Sequence, residues 1–275
     1  MGVSTGTGFI FAGQRRQVAG LDVINYLDNP VLRLRRGEDS KERPAGTWIR
    51  AIVAHTTKGL PSGAPLPGFG PSVDAGERVA RYWSSDGRNA GAHLVIDQDG
   101  SIFQMADMVT EIAFGCPKWN VGGVHIEMYQ GRNGELYESQ LGVCVAVIDL
   151  LTGVLGIQRQ IPERYVGPVV RLVDGDEAAT GVFGHRDLAT NRGAGDPGSA
   201  IFNRLGAAGY DLFNYDLGID REEWRRRQRS LGMASPDGIA GPATARAIRA
   251  ATIIPGIKGT RPAGLWIQRP IDDLL

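Results

Sequence analysis

The four histidines of the chain, together with one aspartate, are the residues whose types best fit metal chemistry. The histidines lie at positions 55, 93, 125 and 185. Two of them, His55 and His185, end short apolar segments, and sites in α/β sheets are usually built at strand ends. Asp196 follows His185 by eleven residues. Two imidazoles and a carboxylate make a three-ligand zinc set with one open position. The spacing alone is equally compatible with isolated histidines that only form hydrogen bonds.

Short strands and one long helix must position these residues. Three segments share the short, apolar, β-branched character of buried strands: 48–55, 123–128 and 181–185. Two further apolar segments, 93–96 and 101–105, flank the residues DQDG, whose Asp-Gly pair predicts a hairpin. Apolar residues at helical spacing predict a buried helix over 139–156. Strands and helices that alternate up to about residue 213 indicate an α/β domain.

Composition excludes several classes of protein. The chain has 30 Lys and Arg residues and 30 Asp and Glu residues, so its formal net charge is zero. A protein without excess positive charge is a poor candidate for a nucleic-acid binder. No run approaches the roughly 20 apolar residues that cross a bilayer, and no basic segment precedes the short apolar patch near the N-terminus. We therefore expect neither membrane insertion nor a secretory signal. Two cysteines, Cys116 and Cys144, do not make a disulfide framework, which favours synthesis in a reducing cytoplasm.

Four segments of the chain carry a family resemblance. In sequence order they are IVAHTT at 52–57, AHLVIDQDGSIFQMAD at 92–107, NVGGVHIEM at 120–128 and GHRDLATNRGAGDPGSAIF at 184–202. Together they resemble the zinc-dependent N-acetylmuramoyl-L-alanine amidases of type 2, which share their fold with the peptidoglycan recognition proteins. The resemblance spans roughly 48–205. It implies a mixed central sheet covered by helices, with zinc held in a groove by His55, His185 and Asp196.

The resemblance also implies a catalytic glutamate. Glu127 matches the family's general acid/base, which takes a proton from the zinc-activated water and passes it to the leaving amine. Period-2 alternation places His125 on the same face of the strand as Glu127. The family usually has a small residue at the position of His125. We consider three roles for His125: a substrate contact, an auxiliary acid, or a residue that only forms hydrogen bonds.

One position departs from the family pattern. Many relatives carry a lysine two residues before the third ligand, where it stabilises the oxyanion, and this chain has Ala194 there. Arg192, four residues before Asp196, is our candidate for the missing positive charge. Two other residues have plainer interpretations. We expect His93 either to have a structural role or to support the metal ligands from behind, and we expect Asp187 to orient local backbone rather than bind metal.

A second unit follows the amidase-like segments. The charged residues 220–229 predict the start of a helix, and DGIAGPAT at 237–244 resembles the signature of a small helical peptidoglycan-binding module. We therefore divide the chain into a catalytic domain at 1–215 and a wall-binding helical module with an irregular tail at 216–275. Because both units resemble modules that act on the same polymer, we predict that the partner is peptidoglycan, both its glycan strands and its stem peptides. We expect the protein to be a monomer.

The resulting prediction is an enzyme that cleaves the amide bond between N-acetylmuramic acid and L-alanine. The alternative is a non-catalytic muropeptide-binding protein of the same fold. Ala194 is compatible with this alternative, because it replaces the lysine that stabilises the oxyanion in many relatives. A third interpretation is a hydrolase of a different amide or wall bond. The expected setting is synthesis in the cytoplasm, followed by release onto the cell wall as a phage-type or virion-associated lysin, or action on cytoplasmic muropeptides.

Overall fold

The computed structural model describes most of the predicted amidase domain and part of the region after it. The described residues are 6–29, 31–57, 78–79, 82–83, 89–130, 136–161, 180–189, 196–212, 221–230 and 232–236. The predicted wall-binding signature at 237–244, Arg192 and Ala194 lie outside them. The two-unit division of the chain thus remains a prediction.

Thirteen short strands occur in the described residues. In chain order they are Gly6–Thr7 (β1), Phe9–Phe11 (β2), Gln14–Arg16 (β3), Val23–Asn25 (β4), Ser40–Glu42 (β5), Ala51–Thr57 (β6), Leu94–Ile96 (β7), Ile102–Gln104 (β8), Glu111–Ala113 (β9), Gly123–Tyr129 (β10), Gln160–Ile161 (β11), Gly181–Gly184 (β12) and Asp211–Leu212 (β13). Four helices are described: Glu138–Leu155 (α1), His185–Leu188 (α2), Ser199–Ala207 (α3) and Arg221–Ser230 (α4). A 3₁₀ turn spans Pro117–Trp119.

Seven strands form one mixed sheet in the order β1-β4-β8-β7-β10-β6-β12. β6 lies between β10 and β12 and is parallel to both, while β7 and β8 are antiparallel. This arrangement confirms the predicted mixed α/β sheet and the predicted hairpin. The turn of that hairpin closes at Gly100, whose φ of +95° favours glycine.

The predicted strands and the long helix are confirmed, with shifted ends. β6 continues two residues beyond His55, and His185 is the first residue of α2 rather than the last residue of β12. α1 covers the predicted helix and ends where Gly156 adopts the left-handed conformation, with φ of 65°. Val79 and Trp83 also have helical backbone and are buried, in a segment that is described only in part.

The sheet separates two apolar layers. On one face, alternate residues of the central strands, Ile52, Val124 and Ile126 among them, pack in the largest core cluster with Cys144 and Ile148 of α1. On the other face, Val53 and Phe183 pack with Trp119 in a smaller cluster. α1 is long and apolar enough to cross a membrane by length and composition alone, a test that the core helices of soluble proteins also pass.

The N-terminal segment extends the sheet through hydrogen bonds that the sequence did not predict. β4 pairs with β8, and β1 pairs with β4. The buried Gln104 amide holds this segment in place: its Oε1 accepts from Ile10 N at 2.7 Å and from Asn25 Nδ2 at 2.8 Å, and its Nε2 donates to Ile10 O at 2.8 Å. One side chain therefore satisfies both backbone groups of Ile10 in β2.

Replacing Gln104 with leucine should destabilise the fold. Leucine keeps apolar volume but leaves the N–H and C=O of Ile10 without their partner, and a buried polar group that loses its hydrogen bond costs about 1–3 kcal/mol. Denaturant unfolding should show a loss of that size for Gln104→Leu. The exposed Gln14→Leu in the adjoining strand is the control, with an expected change within about 0.5 kcal/mol. Equal stabilities for the two variants would contradict this account of the N-terminal segment.

Candidate metal centre

Three neighbouring parallel strands bring the predicted site residues to one edge of the sheet. His55 lies near the carboxyl end of β6 and pairs in register with Glu127 of β10. His185 follows β12 directly. Because residues in register on adjacent parallel strands project to the same side, His55 and Glu127 share one face of the sheet. The parallel pairing therefore places the Glu127 carboxylate and the His55 imidazole on neighbouring strands.

His55, His185 and Asp196 form a compact group of ligand atoms. The Nδ1 atoms of His55 and His185 lie 3.0 Å apart, and His185 Nδ1 lies 3.5 Å from Asp196 Oδ2. Their ligand atoms all lie within 4.8 Å of one another, and all three residues are buried. In a tetrahedral site with bonds of 2.0–2.1 Å, ligand atoms are about 3.3 Å apart. The three residues thus fit a divalent metal such as zinc, and the structure brings together the set that the sequence analysis named.

Backbone groups fix the third member of this set. Thr56 N donates to Asp196 Oδ1 at 3.1 Å, which orients the carboxylate beside His55. Arg186 N donates to Asp196 O at 2.8 Å and ties the aspartate to the start of α2. The residue type of Thr56 does not predict this contact, because Thr56 acts through its backbone amide, which every residue type except proline offers.

Asp187 supports the position of His185. Its Oδ2 accepts a hydrogen bond from Gly184 N at 2.7 Å, at the junction between β12 and α2. This contact confirms the expectation that Asp187 orients backbone. α2 begins at His185 itself, so the capping of its first turn also fixes the origin of the ligand side chain.

His125 lies behind His55, with none of its surface exposed. Its Nδ1 is 3.0 Å from His55 Nε2. Burial, followed by the neighbouring histidines His55 and His93, lowers the pKa of His125 well below its usual value. The ring is therefore neutral. Of the three roles considered for His125, the position fits a hydrogen-bonded residue.

His93 occupies the next layer, and it is structural as expected. Its Nδ1 accepts from His125 N at 3.0 Å, so its proton lies on Nε2, which donates to Glu111 O at 3.0 Å. The buried Arg43 guanidinium donates to the same carbonyl at 2.9 Å and to Gly123 O at 3.0 Å. Burial, with Arg43 acting in the same direction, lowers the pKa of His93 to about 3. Burial lowers the pKa of Arg43 to about 10.

Glu127 is half-buried, unlike the histidines beneath it. The alternation predicted for its strand is confirmed, because Val124, Ile126 and Met128 all belong to the core on the opposite face. Glu127 therefore lies on the face of the candidate metal ligands. Its catalytic role stays a prediction, as does that of Arg192.

A family model for N-acetylmuramoyl-L-alanine amidases, Amidase_2, matches residues 45–199. The chain belongs to this family. All three residues of the candidate metal centre lie inside the matched region, whereas β1 to β5 of this amidase-family chain precede it. A comparison with curated protein sequences gave no match.

Solved structures of amidases and recognition proteins resemble the chain at low identity. The amidase LysC from Clostridium intestinale is 17% identical, with a TM-score of 0.39, and the match covers 64% of this chain and 95% of LysC. The Ph2119 endolysin of a Thermus scotoductus bacteriophage is 16% identical, with a TM-score of 0.39 and coverages of 68% and 98%. Drosophila peptidoglycan recognition protein SD is 16% identical, with a TM-score of 0.44 and coverages of 69% and 96%.

The buried neutral His93 should make stability depend on pH. The unfolded chain binds a proton at His93 near pH 6.5, whereas the folded chain binds it only near pH 3. The contribution of His93 to stability is thus fully present above pH 6.5 and is lost as the pH drops from 6.5 toward 3, by at most about 1.4 kcal/mol per pH unit. His93→Asn removes the titrating ring, so its unfolding free energy should decrease less steeply with acid than that of the parent.

Denaturant unfolding between pH 4 and 7, in the presence of a chelator, measures this difference. Val124→Ala, on the opposite face of β10, is the control: it should lower stability through lost packing and leave the pH dependence of the parent unchanged. Parallel curves for His93→Asn and the parent would show that His93 does not contribute to the acid sensitivity.

Proposed function

We propose that this chain is a zinc-dependent N-acetylmuramoyl-L-alanine amidase. The observation that carries the proposal is the buried group of His55, His185 and Asp196, with ligand atoms 3.0 and 3.5 Å apart inside the family's region. Two imidazoles and one carboxylate leave one position open at a tetrahedral metal, as catalytic rather than structural zinc sites do. A protein that only binds muropeptides has no need of that open position.

The chain's own residues would hold the metal through the two Nδ1 atoms and a carboxylate oxygen of Asp196. When bound, zinc polarises a carbonyl oxygen and lowers the pKa of a coordinated water toward about 7. The hydrogen bond from Thr56 N keeps one oxygen of Asp196 occupied and leaves the other directed at the histidines. The carboxylate of Asp196 is therefore already oriented without the metal, which reduces the conformational entropy lost when a metal binds.

Glu127 would transfer the proton. Its register beside His55 and its half-buried position support this role, in which it would contact both the ligand group and a substrate. Its carboxylate takes a proton from the attacking water and returns it to the nitrogen of L-alanine as the amide C–N bond breaks. The lactyl carbonyl carbon gains the water oxygen, and the products are a muramyl carboxylate and a stem peptide with a free amine.

Arg192 and the DGIAGPAT segment lie outside the described residues, and their roles are proposed from the sequence. Arg192 would stabilise the negative charge that develops on the carbonyl oxygen, in place of the lysine absent at Ala194. Region 216–275 would bind the intact wall, on the basis of its DGIAGPAT segment. A catalytic domain joined to a wall-binding region would suit a lysin that acts on the wall after release from the cytoplasm.

Digestion of purified peptidoglycan tests the reaction. The parent protein should release stem peptides with a new N-terminal L-alanine and no new reducing sugar ends, and a chelator should stop the release until zinc is added. His185→Ala should lose both stoichiometric zinc and hydrolysis. New reducing ends would identify a glycosidase instead, and binding of muropeptides without any cleavage by the zinc-loaded parent would support the non-catalytic alternative.

Glu127→Gln should separate proton transfer from metal binding. The amide keeps the size of the side chain but cannot accept the proton, so kcat should fall about 10²–10⁴-fold while zinc content stays stoichiometric. One limb of the pH–rate profile should disappear. Glu138→Gln, an exposed glutamate at the start of α1, is the matched control and should leave kcat unchanged. A Glu127→Gln protein with zinc bound and parental kcat would move proton transfer to another group.

A further inference from the structure

The two ring nitrogens of His55 face different partners. Nδ1 faces His185 Nδ1 at 3.0 Å, on the side of Asp196, and Nε2 faces His125 Nδ1 at 3.0 Å. A neutral imidazole that binds a metal through Nδ1 carries its proton on Nε2. That proton then points at His125. The contact between the two rings is therefore an Nε2–H donor on His55 and a bare Nδ1 acceptor on His125.

The fold holds the His125 ring in position for this contact. Its backbone N donates to His93 Nδ1 at 3.0 Å, and its backbone O accepts from His93 N at 3.0 Å. The ring is stacked with that of His93, at an interplanar angle of 9°. Two glycines make room for it: a Cβ at Gly115 would lie 2.6 Å from His125 Nδ1, and one at Gly123 would lie 3.3 Å from Nε2.

Local stability does not explain a histidine at this position. Among the described residues, His125 Nε2 has no hydrogen-bond partner, so the contact with His55 is the one use of the ring's polar atoms. An apolar side chain of similar volume would fill this dry space without burying an unpaired nitrogen. The contact of its Nδ1 with His55 Nε2 therefore accounts for a polar ring at position 125.

We propose that His125 is a positioning residue for the metal centre: its Nδ1 accepts the Nε2–H of His55 and holds the His55 ring with Nδ1 toward His185 and Asp196. This inference rests on the proposed function, because it assumes that the three ligands bind zinc. Metal-binding histidines usually donate their second nitrogen to a carboxylate, a backbone carbonyl or water. Here the acceptor is a neutral imidazole, which fixes the ring without adding negative charge to the site.

Two replacements of His125 distinguish positioning from packing. His125→Leu removes the acceptor but keeps apolar volume, whereas His125→Asn places an amide oxygen near the position of Nδ1. Zinc affinity, measured by competition with a chelating dye, should fall about 10–100-fold in His125→Leu and recover to within a few fold of the parent in His125→Asn. The metal-free His125→Leu protein should be at least as resistant to denaturant as the parent.

Val124→Ala on the opposite face of the same strand is the matched control, and it should lower stability without changing zinc affinity. Equal zinc affinities of parent and His125→Leu would overturn the inference, and so would an affinity of His125→Asn as low as that of His125→Leu. A parent protein that binds no zinc would instead overturn the proposed function.

A measurement on the unaltered protein needs no variant. In the zinc-loaded parent, ¹⁵N NMR should place the His55 proton on Nε2 and detect a scalar coupling from that nitrogen to His125 Nδ1 across the hydrogen bond. A zinc-loaded protein in which His55 carries its proton on Nδ1, or in which His125 Nδ1 is protonated, would overturn the inference even if His125→Leu fails to fold.

Discussion

Parallel pairing of β10 and β12 with the two sides of β6 is the constraint on which the site depends. It brings three carboxyl ends to one edge of the sheet, and strict alternation then assigns each side chain to a face. A shift of one residue in the register of β10 would turn Glu127 and His125 into the apolar layer under α1. The core on that side, which includes Val124 and Ile126, therefore fixes the register that the site requires.

Burial decides how the polar residues behave once this register is set. The ring nitrogens of His185, His55 and His125 form a continuous series at 3.0 Å spacing, and His93 and Arg43 lie beneath it. In a dry environment each of these groups needs a partner or must lose its charge. The low pKa values of His93 and His125 reflect the second outcome. Protonation states at the base of the site are thus set by the fold.

Much of the site could be predicted from the sequence because its residues act through their own side-chain chemistry. His55, His185 and Asp196 have metal-binding atoms, and they lie beside strands whose apolar character is visible in the sequence. Arg43 and Thr56 could not be predicted in the same way. Arg43 bonds to backbone carbonyls about 70 to 80 positions away, and Thr56 contributes only its amide. No residue type marks such contacts in advance.

The strands before residue 45 show a related limit. They are two or three residues long, which is too short for period-2 alternation to be distinguished from chance. Phe9 and Phe11 of β2 enter the core, but both backbone groups of Ile10 between them bond to the amide of Gln104, 94 positions later in the chain. Sequence patterns report how a segment buries its own side chains, and they do not show such a contact with a distant side chain.

The two faces of the sheet divide stability and function between them. α1 and the strand residues that face it form an apolar layer whose members are almost all fully buried, and burial of that kind supplies most of the favourable free energy of folding. The site face carries Glu127 and the buried histidines, which contribute less and carry the cost of dehydration. Polar residues at the base of the candidate metal centre are tolerated because the opposite face does not depend on them. For the same reason, a replacement on the site face can change the candidate metal centre while the fold persists, which is the condition under which function and stability can be measured separately in this chain.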